Sequence, residues 1–270
     1  MSELDLSSEP IKISETSAIR LMQSTVDGAE RYQDCCIMVG APGVGKTTFL
    51  NKFARARETA ILIEATSANG AKSQFFKLLA DHISEHNRHY RRATKQSLSD
   101  LFEMLCEVLW NYMPKGTIIL IDEAQNLALD TFRLLLDLSK RCGITIVFVG
   151  NTYTLKSTKV NREAIDQIWD RLEDHRLELR GISSGDVVAI AVDHYVEGVD
   201  AYAYLEAFAI SRKSLRRLAS LLREARIYAG PQGSIRLPHL RKAVAVLHSE
   251  GEDRGLFKLI PKPRKEENAA

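Results

Sequence analysis

A glycine-rich segment constrains the fold more than any other part of the chain. Residues 40–47 read GAPGVGKT and match the pattern G-x-x-x-x-G-K-[ST] in full. The segment follows a short apolar run at 35–39 and precedes a stretch with helical periodicity at 48–57. A strand, a glycine turn and a helix in this order form a loop whose backbone N–H groups and helix N-terminus can bind phosphate. The sequence therefore predicts a P-loop fold.

The side chains of this loop predict its ligands. We expect the ammonium of Lys46 to reach the β- and γ-phosphates of a nucleotide, and the hydroxyl of Thr47 to coordinate Mg²⁺. The predicted cofactors are therefore ATP and Mg²⁺. The nucleotide-binding residues predicted here are Gly40, Pro42, Gly43, Gly45, Lys46, Thr47 and Thr48.

Two acidic residues follow the apolar run IILI at 118–121. Asp122 is predicted to bind Mg²⁺ together with Thr47, and Glu123 to activate a water as a general base. Many P-loop kinases need only the aspartate, because an acceptor hydroxyl replaces the water. The pair of carboxylates therefore favours hydrolysis. Asn151, after the next apolar run, is a candidate sensor of the γ-phosphate, although it could also be a helix or turn cap.

Apolar runs alternate with helical segments over the first two thirds of the chain. This alternation predicts an α/β fold with a parallel sheet of five strands and helices on both faces. The predicted strands span 35–39, 60–64, 117–121, 144–149 and 176–179. The predicted helices span 15–33, 48–57, 71–90, 97–113, 129–141 and 160–174.

The pattern changes after Gly181, where four helical segments follow with no strand expected between them. They span 184–197, 200–209, 212–229 and 237–249. The predicted domains are a flexible N-terminus at 1–14, an α/β core at 15–181, a helical lid at 182–250 and a charged tail at 251–270.

The net charge of the 270-residue chain, with 37 basic and 35 acidic residues, is only +2. This small value excludes a bulk polycation but not local basic patches. The segment 84–98 carries a sum of +3, and 212–226 carries +5.

Other sequence features argue against a membrane protein. No run of 18 apolar residues appears, and the acidic N-terminus lacks the pattern of a signal peptide. The four cysteines form no Cys-x-x-Cys pair, so we expect buried, reduced thiols rather than a zinc site. The expected location is the cytoplasm.

Together these motifs resemble the AAA+ ATPases. Within that superfamily the chain is similar to the transposition-regulator group, which includes the Mu transposition protein B, TnsC and TniB proteins. The resemblance covers about residues 15–250. The similar segments are IDEAQ at 121–125, VFVGN at 147–151, RLEDHRL at 171–177, LRRL at 215–218 and LREA at 222–225.

The resemblance implies an AAA+ core with a small all-helical lid, and ATP bound between subunits of a homo-oligomer. An arginine before the fifth strand would reach the γ-phosphate of the neighbouring subunit. Arg171 is at that position, and Arg176 is the alternative. In the lid, Arg216 or Arg217 would contact the γ-phosphate within the same subunit.

The resemblance also implies binding to duplex DNA without sequence preference, in a helical filament. The candidate DNA contacts are Lys72, Arg88, Arg91, Arg92 and Lys95, although a solvated surface would have the same composition. The predicted function is regulation of transposition, with recruitment of a transposase and with ATP hydrolysis driving disassembly. The alternatives are another AAA+ ATPase, such as a DNA loader, an initiator or a secretion-linked ATPase, or a P-loop kinase that acts on a small molecule.

Overall fold

The computed structural model describes residues 14–86, 97–152, 154 and 162–247, and these fall into two units. The α/β unit spans 18–180, and the helical unit contains 14–17 and 181–247. The predicted charged tail, and all of the predicted flexible N-terminus except Ser14, lie outside the described residues.

A parallel sheet of five strands forms the centre of the α/β unit. The strands are β1 (Cys35–Gly40), β2 (Ala60–Glu64), β3 (Ile118–Asp122), β4 (Thr145–Gly150) and β5 (Arg176–Leu179). Their order across the sheet is β2-β3-β4-β1-β5. The predicted fold class and parallel sheet are thus confirmed.

The three central strands are buried at every position, whereas β5 at one edge is mostly exposed. Burial on both faces accounts for the continuous apolar runs that made β1, β3 and β4 easy to predict. The register pairs Val39 with Gly150 and Ile121 with Phe148. The carboxyl ends of β1, β3 and β4 therefore meet at one edge of the sheet.

Helices lie between these strands, and their ends differ from the predicted ones by a few residues. They are α1 (Ser17–Tyr32), α2 (Lys46–Ala56), α3 (Lys72–His86), α4 (Leu98–Asn111), α5 (Leu129–Cys142) and α6 (Arg162–Leu172). The start of α4 is set by a capping box, in which Ser97 and Asp100 each accept from the other's backbone N–H. A 3₁₀ turn at 173–175 ends α6 before the predicted residue 174.

The helical unit has its own apolar core. It consists of α7 (Ser184–Asp193), α8 (Val199–Arg212), α9 (Leu215–Ala229) and α10 (Leu237–Leu247). Tyr204, Phe208 and Leu222 are among its fully buried side chains.

The predicted helix at 184–197 is wrong at its C-terminal end. Helix α7 ends at Asp193, and Val196 then pairs with Ile235 in an isolated parallel bridge, where no pairing was expected. Gly198 has a φ of +100°, which an L side chain adopts only with strain, so the chain turns there before α8.

All four cysteines are free and buried. Burial raises the pKa of the Cys35 thiol to about 12, so this group is an unreactive part of the core. Within the described ranges, no helix is both long and apolar enough to cross a membrane.

Candidate nucleotide-binding site

The loop between β1 and α2 has the backbone that a phosphate site requires. Gly43 and Gly45 have φ angles of +83° and +100°, which other residues rarely adopt. Helix α2 begins at Lys46 rather than at the predicted residue 48, directly after Gly45. No side chain caps this helix, so its first N–H groups remain available to an anion.

Gly40 is needed for a different reason. A Cβ on this residue would lie 2.8 Å from the Cβ of Leu179 in β5, because the two strands are neighbours. Val44 is buried and anchors the loop, whereas Pro42 and Thr48 are exposed. The glycines therefore allow both the tight turn and the close packing of β1 on β5.

The side chain of Lys46 folds back over the loop. Its Nζ donates to the backbone carbonyls of Gly40 and Ala41, at 2.8 and 2.9 Å. These acceptors hold the ammonium beside the N-terminus of α2, where a phosphate group would lie. The positive charge of Lys46 and the N-terminus of α2 are therefore adjacent, and both favour binding of an anion there.

Thr47 and Asp122 meet across the site. The Thr47 hydroxyl donates to Oδ2 of Asp122 at 2.8 Å, and the backbone N–H of Glu123 donates to Oδ1 at 2.8 Å. Asp122 is only 6% exposed. Its carboxylate is thus fixed in position by one contact from α2 and another from its own strand end.

This oxygen pair fits a magnesium ion. Mg²⁺ prefers hard oxygen ligands, and proteins hold it through one or two carboxylates together with water and substrate phosphates. The Thr47 hydroxyl and the Asp122 carboxylate are such ligands, beside the place for phosphate. The remaining ligands would come from the nucleotide and water.

Glu123 lies at the end of β3 with a φ of +53°. This left-handed backbone is uncommon for a residue other than glycine and costs about 1–3 kcal/mol, so the surrounding structure must impose it. The side chain is half-buried and accepts a hydrogen bond from Nε2 of Gln125.

The sequence reasoning did not select Gln125 as a functional residue. Its Oε1 accepts the backbone N–H of Asn151 at 3.0 Å, so its amide joins Glu123 to the end of β4. This link forms because β3 and β4 are neighbours in the sheet. Asn151 is therefore close to Glu123, another predicted catalytic residue. The only sequence signal for Gln125 was its place in the IDEAQ segment.

The two arginines predicted to act on a neighbouring subunit have partners within the α/β unit. Nη1 of Arg171, near the end of α6, lies 3.0 Å from Oδ1 of Asp137 on α5. The guanidinium of Arg176 lies over the ring of Trp169, 4.3 Å from its centroid. Both arginines are exposed, so either could contact a second copy.

The remaining predicted residues belong to other elements or to segments that the structure does not describe. Arg216 and Arg217 are exposed in the first turn of α9, in the helical unit. Lys72 begins α3, and its Nζ is 3.1 Å from Oδ2 of Asp130 on α5. The other predicted DNA contacts lie outside the described residues: Arg88, Arg91, Arg92 and Lys95.

Comparison with known families identifies the part of the chain that carries this site. Residues 29–157 match a family model described as AAA domain. This part of the chain is similar to that family. The matched range includes the P loop, Asp122, Glu123 and Asn151, and P-loop AAA domains generally bind a nucleotide with magnesium.

Two solved structures share the fold. Cdc6p from Pyrobaculum aerophilum superposes with a TM-score of 0.63 at 15% identity, covering 93% of this chain and 72% of that one. Domain III of the replication initiation protein DnaA from Thermotoga maritima superposes with a TM-score of 0.53 at 17% identity, covering 86% of this chain and 92% of that domain. At these identities the similarity shows the fold alone, an α/β P-loop sheet followed by C-terminal helices. No curated protein sequence matches the chain.

Proposed function

We propose that the chain is an ATPase that couples ATP hydrolysis to an action on duplex DNA. The observation that carries the enzymatic part is the line of contacts from Thr47 through Asp122 to Glu123. It supports a site in which the phosphate-binding loop contacts a metal-binding carboxylate, and the residue that carries the general base follows that carboxylate directly in the chain.

The proposed reaction transfers the γ-phosphoryl group of ATP to water. The N–H groups at the start of α2 and the Lys46 ammonium bind the β- and γ-phosphates. Thr47 and Asp122 would hold Mg²⁺, and the bound ion would neutralise phosphate charge. Glu123 accepts a proton from the attacking water while the bond from the γ-phosphorus to the bridging oxygen breaks. The products are ADP and inorganic phosphate.

Among DNA-linked roles, we favour that of a loader or initiator ATPase. The fold is similar to those of Cdc6p and of domain III of a protein named for replication initiation. Transposition regulation remains the second candidate, and it rests on the IDEAQ and neighbouring sequence motifs alone. In both roles we propose that copies of the chain assemble and that Arg171 or Arg176 reaches the ATP of the next copy.

The test is phosphate release from ATP by the full chain, with and without duplex DNA, at low and high salt. The proposal expects ADP and phosphate as the only products and a higher rate with DNA. The stimulation should fall as salt rises, because backbone phosphate contacts are salt-sensitive. Phosphate release that DNA does not change at low salt would contradict the DNA-linked role. A phosphorylated small molecule in place of free phosphate would favour the kinase alternative.

A second observation separates the two DNA-linked roles. A transposase gene directly beside the gene for this chain would favour transposition regulation. The matching biochemical test adds the product of that gene to the chain, ATP and DNA, and measures strand transfer. Strand transfer that depends on the chain and on ATP would contradict a role limited to loading or initiation.

A further inference from the structure

We propose that Gln125 is a positioning residue for hydrolysis, which holds the Glu123 carboxylate and fixes its place relative to the end of β4. The inference rests on the proposed function and adds to it a residue that neither the P-loop pattern nor the acidic pair predicts. It concerns the orientation of the general base and not the binding of nucleotide.

The side-chain amide of Gln125 makes one contact at each end. Its NH₂ group donates to Oε2 of Glu123, and its carbonyl oxygen accepts the backbone N–H of Asn151 at 3.0 Å. A carboxylate can only accept hydrogen bonds, whereas a backbone N–H can only donate one. A side-chain amide meets both needs at once, and a glutamate of the same shape does not.

Gln125 is itself held in place by a short 3₁₀ turn at 124–126. Ala124 is fully buried in the core, and the side chain of Asn126 donates to the backbone carbonyl of Ala65 at 2.9 Å. These contacts fasten the residues on both sides of Gln125 to the α/β unit. The backbone that carries the Gln125 side chain is therefore held in place by packing and hydrogen bonds.

The amide of Gln125 occupies space that is open because residue 150 is a glycine. A Cβ on Gly150 would lie 2.9 Å from Oε1 of Gln125 and 2.1 Å from Oγ1 of Thr154. The Thr154 side chain is 3% exposed, and its hydroxyl has no hydrogen-bond partner among the described residues. The absence of a side chain on Gly150, at the end of β4, thus allows the Gln125 amide to reach the backbone of Asn151.

The arrangement orients one oxygen of Glu123 for the reaction. The hydrogen bond from Gln125 to Oε2 fixes the rotation of the carboxylate, and this sets the direction that Oε1 faces. A carboxylate that rotates freely would present this oxygen in the productive direction for a smaller part of the time. Loss of the amide should therefore lower kcat and leave nucleotide binding unchanged, because its two hydrogen bonds run to Glu123 and to Asn151 rather than to the P loop.

The experiment compares Gln125→Glu and Gln125→Ala with a matched control, Gln23→Glu. Nε2 of Gln23 on α1 donates to Oδ1 of Asp27 at 2.7 Å, so the control also removes an amide donor from an acidic partner, away from the site. The measurements are kcat and KM for ATP hydrolysis, and the Kd for N-methylanthraniloyl-ATP by fluorescence. Thermal unfolding of each variant checks that it is folded.

We expect both Gln125 variants to lower kcat at least about 10-fold, with the nucleotide Kd changed by less than about twofold. The Gln23 variant should match the wild type in all three quantities. A kcat within about twofold of the wild type in both Gln125 variants overturns the inference, as does a parallel loss of kcat and nucleotide affinity. If the wild-type chain itself releases no phosphate from ATP, the proposed function fails, and the inference fails with it.

Discussion

In the α/β unit, the charged groups at the carboxyl edge of the sheet are bonded to their own loop or to neutral polar groups beside them. Lys46 donates to carbonyls of the P loop, and Glu123 is held by a single side chain. In the helical unit, the half-buried Arg226 is bonded instead to the backbone of the connections between helices. Arg226 donates to the carbonyls of His194, Gly230 and Gly233.

The difference separates groups that can change partners from groups that cannot. A phosphate can replace the loop carbonyls at Lys46 with little disturbance to the fold. Replacing the three carbonyls at Arg226 would open the connections between helices of the helical unit. Charge sums along the sequence hide this distinction, since Arg226 was counted in the +5 segment at 212–226.

We expect the largest effect, a loss of ATP affinity, from Lys46→Ala. The variant should bind ATP roughly 100-fold more weakly, because it loses charge-assisted hydrogen bonds to the phosphates. Its free energy of unfolding should stay close to that of the wild type. The control is Lys52→Ala, an exposed position on the same helix. ATP affinity that survives in the Lys46 variant would remove this residue from the phosphate site.

Arg226→Met should affect stability instead. The variant leaves three half-buried carbonyls without this donor, which we expect to lower the free energy of unfolding by about 2 kcal/mol. Hydrogen exchange of backbone amides in α7 and α9 of the full chain would report the loss. The control is Arg223→Met, because Nη2 of the exposed Arg223 donates to the hydroxyl of Ser220 on its own helix at 3.3 Å. Equal exchange in the two variants would contradict a structural role for Arg226.

Asp186→Asn tests a buried carboxylate of the helical unit. Burial opposes its ionisation, but hydrogen bonds from the backbone and hydroxyl groups of Ser17 and Ser183 lower the pKa of Asp186 below its ordinary value of 3.8. A lowered pKa stabilises the fold above that ordinary value, and the contribution is lost as the pH falls through the folded-state pKa. We expect the variant to lose about 2 kcal/mol at pH 7, and progressively less as the pH falls below 3.8.

Urea unfolding of both proteins across this pH range measures the effect. If the difference in the free energy of unfolding between the wild type and Asp186→Asn does not shrink towards low pH, the hydrogen-bonded carboxylate is not its source.

The smallest effect on stability is expected from Arg171→Ala. Its ion pair with Asp137 is about half exposed on both sides, at 55% and 54%, so its loss should cost less than about 0.5 kcal/mol. If Arg171 acts on a neighbouring copy, ATP turnover should fall at least about 10-fold at protein concentrations where the wild type assembles. Arg162→Ala, on the same helix, is the control. Unchanged turnover at those concentrations would leave Arg176 as the candidate.

The sequence predicted the sheet well because its central strands are continuous apolar runs and its P loop depends on local backbone geometry. The start of α2 was placed two residues late, since the N-terminal residue of the helix is also part of the loop motif. The bridge between Val196 and Ile235 could not be predicted, because a single long-range pair leaves no periodic pattern.

The candidate site was predicted in part for the same reason. Thr47, Asp122 and Glu123 follow from motifs whose chemistry is local to one strand end or one loop. The role of Gln125 depends on β3 and β4 being neighbours and on the small size of Gly150, and neither can be deduced from the position of Gln125 in the chain. Partners of exposed arginines, such as Asp137 for Arg171, are likewise a matter of how helices pack.

The most direct test of the central claim is single-turnover hydrolysis of ATP by Glu123→Gln with Mg²⁺ and protein in excess. The account predicts that this variant binds ATP as the wild type does and releases phosphate about 100-fold to 10,000-fold more slowly. Glu58→Gln, an exposed glutamate before β2 at the opposite edge of the sheet, should behave as the wild type. Phosphate release by the Glu123 variant at the wild-type rate would contradict the account.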